Sequence, residues 1–170
     1  INGTSAKGLD VSGFAGQKFG KVGFTVFAAV NTSQPYDPAD IDLTAIPKYE
    51  RYSINPKLFV DFNEETSLNV GVNFMTEDRI GGDLHYIEGN GDAIHQYFER
   101  NKSHRLSTQL SFVRKIWDNA SFNFKNSTNH YDRTIEVPAY TFDAIQNGTF
   151  TELSLSSHSV KSEWTGGVNL

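Results

Sequence analysis

The order of its connections constrains this chain more than any single segment does. Stretches in which apolar and polar residues alternate, each long enough for a β-strand, are joined by links that are short and long in turn. Seven strand-like segments are read: Gly8 to Gly16, Lys21 to Thr32, Glu50 to Phe62, Ser67 to Glu77, Ala93 to Val113, Ala120 to Arg133 and Thr151 to Leu170. The links Gln17 to Gly20, Asn63 to Thr66 and Arg114 to Asn119 are tight. Those at Ser33 to Lys48, Asp78 to Asp92 and Ile135 to Phe150 are long and rich in Gly, Pro, Asp or Asn. An antiparallel meander built this way gathers its tight turns at one end and its long loops at the other. Greek-key crossings in a soluble sandwich scramble that order, whereas a transmembrane barrel imposes it.

The alternation is regular enough to assign faces. Tyr52, Ile54, Pro56, Leu58, Val60 and Phe62 form one row, and Arg51, Ser53, Asn55, Lys57, Phe59 and Asp61 the other, with Phe59 the one break in the polar row. Leu68, Val70, Val72 and Phe74 alternate with Ser67, Asn69, Gly71 and Asn73, and Leu106, Leu110 and Phe112 with Arg105, Ser107, Gln109 and Ser111. In a soluble sheet the apolar row is buried in protein; in a barrel it meets lipid and the polar row lines the lumen. Phe19, Phe62 and Trp117 all fall at the tight-turn end, where a barrel carries an aromatic girdle. The expected fold is therefore all-β: an antiparallel up-and-down meander of about seven strands, part of a transmembrane β-barrel. The lumen-facing row is expected to include Arg51, Ser53, Asn55, Lys57, Asn69, Asn73 and Gln109. Pro56 lacks the N–H needed for a ladder bond, so a local irregularity is expected there.

Composition narrows the classes. The chain of 170 residues suffices for one domain, and its 13% aromatic content favours strands over helices. A net charge of -5 without a basic run argues against nucleic acid as a partner. With no Cys, neither a disulfide framework nor a thiolate metal site is available. No stretch reaches the ~18 apolar residues of a membrane helix, a criterion barrel strands escape because each is short and only half apolar.

The second long link offers the most binding groups: His85, Tyr86, His95, Tyr97, Phe98 and Arg100. Aromatic and Arg side chains combine apolar area with polar tips, which suits recognition of a large, partly planar ligand. His85 and His95 are also candidates for haem iron or a divalent metal. Asp37, Asp40 and Asp42 are weak Ca²⁺ candidates, since their spacing does not follow an EF-hand loop. Glu77 to Arg79 and His130 to Arg133 place acids, bases and His side by side, and local ion pairs account for them. No nucleophile elbow, HExxH or phosphate loop accompanies them, so no catalytic residue, enzyme activity or resident cofactor is expected.

Several stretches, "QKFGKVGFTVFAA", "RYSINPKLFVDFNEETSLNVGVNF", "TEDRIGGDLHYI", "HQYFERN" and "FKNSTNHYDRTIEVPAY", resemble successive strands and loops of TonB-dependent outer-membrane receptors of the type abundant in Bacteroidota. The resemblance runs from about Gly8 to Leu170. Such receptors have a barrel of about 22 strands closed by an N-terminal plug. They take up siderophores, haem, cobalamin or glycans with energy from the inner membrane. The resemblance implies a nutrient receptor in the outer membrane of a Gram-negative bacterium. It also implies lipid, the remaining barrel strands, a plug, the TonB complex and a ligand at the extracellular loops as partners. No plug sequence or TonB-box-like leader is read here, and "WTGGVNL" ends inside a strand pattern, so an internal piece of the barrel is expected. The alternative is a secreted β-sandwich or small barrel that binds carbohydrate through loop aromatics.

Overall fold

A computed structural model describes residues 1–170. It contains β1 (Asn2–Gly3), β2 (Leu9–Phe19), β3 (Val22–Ser33), β4 (Lys48–Asn63), β5 (Thr66–Gly82), the one-turn α1 (Leu84–Ile87), β6 (Phe98–Trp117), β7 (Ala120–Val137), β8 (Tyr140–His158) and β9 (Glu163–Asn169). All nine strands form one antiparallel sheet whose spatial order is the chain order, β1 to β9. The sheet is open, with β1 and β9 at its edges.

Residues 1–170 form a single layer, in contrast to the two packed sheets of a sandwich. Of 170 residues six are buried, and Ala120 is the one hydrophobic side chain among them. The apolar row of β4 stands out from the surface, with Tyr52 46%, Ile54 44% and Leu58 43% exposed. Its polar neighbours Arg51, Ser53, Asn55 and Lys57 are half-buried, the reverse of a water-soluble sheet. Cohesion comes from the ladders: 99 of 118 backbone hydrogen bonds lie within strands and the helix.

The register aligns the rows across strands. Val22, Val60, Leu68, Phe112, Phe124, Leu153 and Val168 stand side by side. At the β2–β3 turn this row is the last pair, Phe19 with Val22. At the later turns the last pairs are displaced progressively below it, to Asn63 with Thr66, Trp117 with Ala120 and His158 with Glu163. The displacement is close to one residue per strand. Setting these turns level tilts the strands by roughly 30° at ~3.3 Å rise and ~4.8 Å strand spacing, near the tilt of closed transmembrane barrels.

Four expectations need correction. The stretch Ile135 to Phe150 is not a long loop: β7 and β8 run through it and join at Pro138 and Ala139, where Ala139 takes φ 63°. Cross-strand bonds such as Thr134 Oγ1 to Asp143 Oδ1 (2.6 Å) extend the ladder through residues that read as breakers. Short and long links therefore do not alternate to the end of the chain. Thr151 to Leu170 is not one strand but the lower half of β8, a turn and β9. Finally, β6 begins at Phe98 rather than Ala93, while β5 continues to Gly82 instead of ending at Glu77. At Pro56 the β4–β5 ladder lapses between Ile54 with Phe74 and Lys57 with Gly71 without changing register; the register shift lies at Asp61/Asn63.

Candidate functional site

Chemistry-bearing side chains collect in two places, the loops at the long-link end and the polar face of the sheet. The two long loops are tied to each other. Leu84 N donates to Asp42 O (2.9 Å), Thr44 N to Gly82 O (2.9 Å) and Gly82 N to Thr44 Oγ1 (2.8 Å). Asp83, itself buried, caps α1 by accepting from His85 N at 2.9 Å. Gly82 sits at φ 125°, and a Cβ there would lie 2.5 Å from Tyr97 O, so the crossing of these segments requires glycine.

This scaffold brings most of the predicted loop residues together. Tyr86 and Phe98 stack with centroids 4.5 Å apart, and His85 and His95 are tilted against each other at the same separation. Tyr97 is exposed. The His pair is too close to clamp a haem plane, because imidazoles on opposite sides of a metal hold their centroids roughly 6 Å apart. Asp92 accepts from Ile94 N (2.8 Å) and His95 N (2.9 Å). The backbone bonds from His95 and then Ile94 hold its carboxyl below the usual value of 3.8. Arg100 does not join the loop cluster. Its fork is occupied by Asp78, with Nε 2.9 Å from Oδ1 and Nη2 2.5 Å from Oδ2.

The weak Ca²⁺ candidates are not gathered around a common point. Asp37 accepts from Ala39 N (3.0 Å) and Ile41 N (2.7 Å), while Asp40 and Asp42 occupy left-handed turn positions at φ 56° and 60°. Asp42 faces His85 at 3.9 Å instead. No three His, Asp or Glu side chains meet as a metal site would require.

On the sheet, the register puts Arg51, Ser53, Asn55, Lys57, Asn69, Asn73 and Gln109 on one face. Toward the long-loop end that face becomes rich in arginine. One row runs Asp10, Asn31, Arg51, Glu77, Ser103, Arg133; the row nearer the tight turns carries Arg105 and Tyr131, and the row beyond it Tyr49, Arg79 and Asn101. Arg51 pairs with Glu77, which also meets Arg79 at 3.3 Å. Arg105 lies over the Tyr131 ring at 4.8 Å, Arg79 over Tyr49 at 5.5 Å, and Arg133 Nε donates to Asn101 Oδ1 at 3.1 Å. Sequence reasoning assigned Arg51 to this face but not the group, whose members meet only through strand register.

No protein-family model matches the chain, and no curated protein matches it either. A solved structure does: the ferric-catecholate import receptor Fiu from E. coli K12 in its closed form superposes with a TM-score of 0.65 over 97% of this chain. The chain has the fold of a receptor barrel wall. At 11% identity the likeness is one of fold, and the chain spans 29% of that receptor's length. A partial barrel wall accounts for the single layer, the exposed apolar row and the open edges β1 and β9.

Proposed function

We propose that this chain forms part of the wall and extracellular loops of an outer-membrane receptor for nutrient uptake in a Gram-negative bacterium. The observation that carries the reading is the uncovered apolar row on a single tilted sheet. In water such a row would be a continuous exposed apolar patch, and in a bilayer it is the surface lipid requires. The likeness to an import receptor supports the same reading at the level of fold. In this arrangement the tight turns face the periplasm and the polar face looks into the lumen. The remaining strands and a plug complete the barrel, and the TonB complex supplies the energy. His85, Tyr86, His95, Tyr97 and Phe98 contribute to ligand capture at the loops, where the ligand is an iron chelate or a nutrient of similar size. Arg100 serves the loop base through Asp78.

Spin labels placed singly at Leu58, Val70, Asn55 and Asn73 in the reconstituted protein test the assignment. Labels at Leu58 and Val70 are expected to be quenched by oxygen dissolved in lipid, and those at Asn55 and Asn73 by a water-soluble nickel chelate. A folded monomer in detergent-free buffer with Leu58 and Val70 shielded from both agents overturns the reading.

A further inference from the structure

We propose that the outward face of β7 and β8 draws the polar headgroup layer at the long-loop end down toward the tight turns, thinning the hydrocarbon along one flank of the wall; this rests on the reading that the apolar row meets lipid. With the tight turns set level, the height of the apolar row can be compared strand by strand. It runs from Val22 to Val30 on β3, from Val60 up to Ile54 on β4 and from Leu68 to Phe74 on β5. At ~3.3 Å rise and a tilt of roughly 30° these rows end about 23–26 Å above the turns, the height of a barrel's apolar band. On β7 the row is apolar at Phe122 and Phe124, on β8 at Leu155 and Leu153, and it ends about 11–14 Å above the turns. Asn126, Thr128 and His130 follow on β7, and Thr151, Thr149 and Asn147 on β8. Strand β6 is the border, with Thr108 set between Leu110 and Leu106.

These polar side chains wall a hollow of about 440 Å³, formed by Thr108, Thr128, His130, Asn147 and Thr149 beside Leu106. Part of their hydrogen-bonding capacity is met across the strands. Thr108 Oγ1 and Thr128 Oγ1 lie 2.6 Å apart, Asn126 Nδ2 donates to Thr151 Oγ1 at 2.9 Å, and His130 Nδ1 meets Asn147 Oδ1 at 2.6 Å. The remainder points outward: Asn147 Nδ2 and the second ring nitrogen of His130 find no partner in the chain. In hydrocarbon both would be left unmet, at a cost that spanning structures avoid. Water together with headgroup oxygens satisfies them.

Charge selects headgroups over a second copy of the chain. Just above the hollow the same face carries Asp132 on β7 and Asp143 on β8, and Asp143 is bonded to the neutral Thr134. Two copies meeting here would set these carboxylates against each other, whereas the ammonium groups of zwitterionic headgroups accommodate them. A bilayer that meets an apolar belt too short for it thins locally at modest cost, and here the shortening is confined to one flank.

Single spin labels at Phe74 and Thr128, each eight residues beyond the first of its strand, test the proposal in the full-length protein reconstituted in dioleoylphosphatidylcholine vesicles. The Phe74 label is expected to be relaxed chiefly by oxygen and the Thr128 label chiefly by a water-soluble nickel chelate, a severalfold difference in the ratio of the two accessibilities. In vesicles of the shorter dilauroylphosphatidylcholine the Phe74 label is expected to shift toward the nickel chelate and the Thr128 label to stay as it was. Oxygen-dominated relaxation at Thr128 equal to that at Phe74 means that hydrocarbon covers the hollow, and it overturns the proposal. A Thr128 label shielded from both agents means that protein covers it, a second copy included, and overturns it as well. Because Leu58 reports the lipid-wall reading independently, oxygen-exposed labels at both Leu58 and Thr128 remove this inference alone.

Discussion

The rings of Tyr86 and Phe98 stack 4.5 Å apart with their planes 2° from parallel, pinning α1 to the first residue of β6. Such a pair contributes about 1 kcal/mol beyond its buried area. Tyr86→Ala is expected to speed hydrogen exchange at the amides of Leu84 and Glu88, which bond to Asp42 O and Leu84 O, while Tyr86→Phe leaves exchange unchanged.

Leu58 lies near the middle of the apolar row that runs between Phe62 and Tyr52 on β4. Leu58→Arg is expected to destabilise the protein in lipid vesicles by about 2–4 kcal/mol, the cost of a cation near the bilayer midplane. Asn55→Arg, on the opposite face, is expected to stay within about 0.5 kcal/mol of wild type. Urea titration of both variants in the same vesicles checks the contrast.

Thr108 and Thr128 share a hydroxyl bond of 2.6 Å on the face that carries the apolar row. Removing one partner strands the other, whereas removing both leaves an apolar pair of nearly the same shape. Thr108→Val and Thr128→Val are each expected to cost about 1 kcal/mol, and the double variant to match or exceed wild-type stability in vesicles. A double-mutant cycle reads the coupling directly.

Asp92 holds the start of the segment leading into β6 through the amides of Ile94 and His95. Its carboxyl titrates below 3.8 in the folded protein, so the unfolded chain binds the proton more readily. The stabilisation is therefore fully present above the unfolded value and is lost as pH falls through the folded one. The amide proton shift of Ile94 is expected to show an acid transition centred below that of an ordinary Asp side chain, about 3.9. In Asp92→Asn that transition is expected to disappear.

Faces were legible in the sequence because the side-chain period of a strand is two residues. The tight turns near Gly20, Asn63 and Asn119, the loop before Lys48 and the existence of a second long loop before β6 were legible for the same reason, alternation stopping there, although the bounds of that second loop were not. Tyr140 to Phe150 was not, because Asp143, Asn147 and Gly148 resemble loop composition. Their pairing with Thr134, His130 and Asn129 overrides that preference. The arginine group was hidden for a different reason. Arg51, Arg79, Arg105 and Arg133 lie on separate strands, and only the pairing register shows that they occupy adjoining rows. The His85 and His95 contact depends in the same way on the Asp83 cap and the Asp92 turn, which bring distant loop positions together.

Because β1 to β9 stand in space in the order in which they occur in the chain, assembly of this sheet is a matter of adding hairpins at an edge. Each arriving strand finds its partner in the strand already in place, and no segment has to be threaded between two others. The entropy of closing even the long loops rises only slowly with their length, so changes in loop length leave the order of addition intact. Pairing between sequence neighbours lets each strand close onto the one before it, and at every stage the rim that receives the next strand is the one most recently laid down.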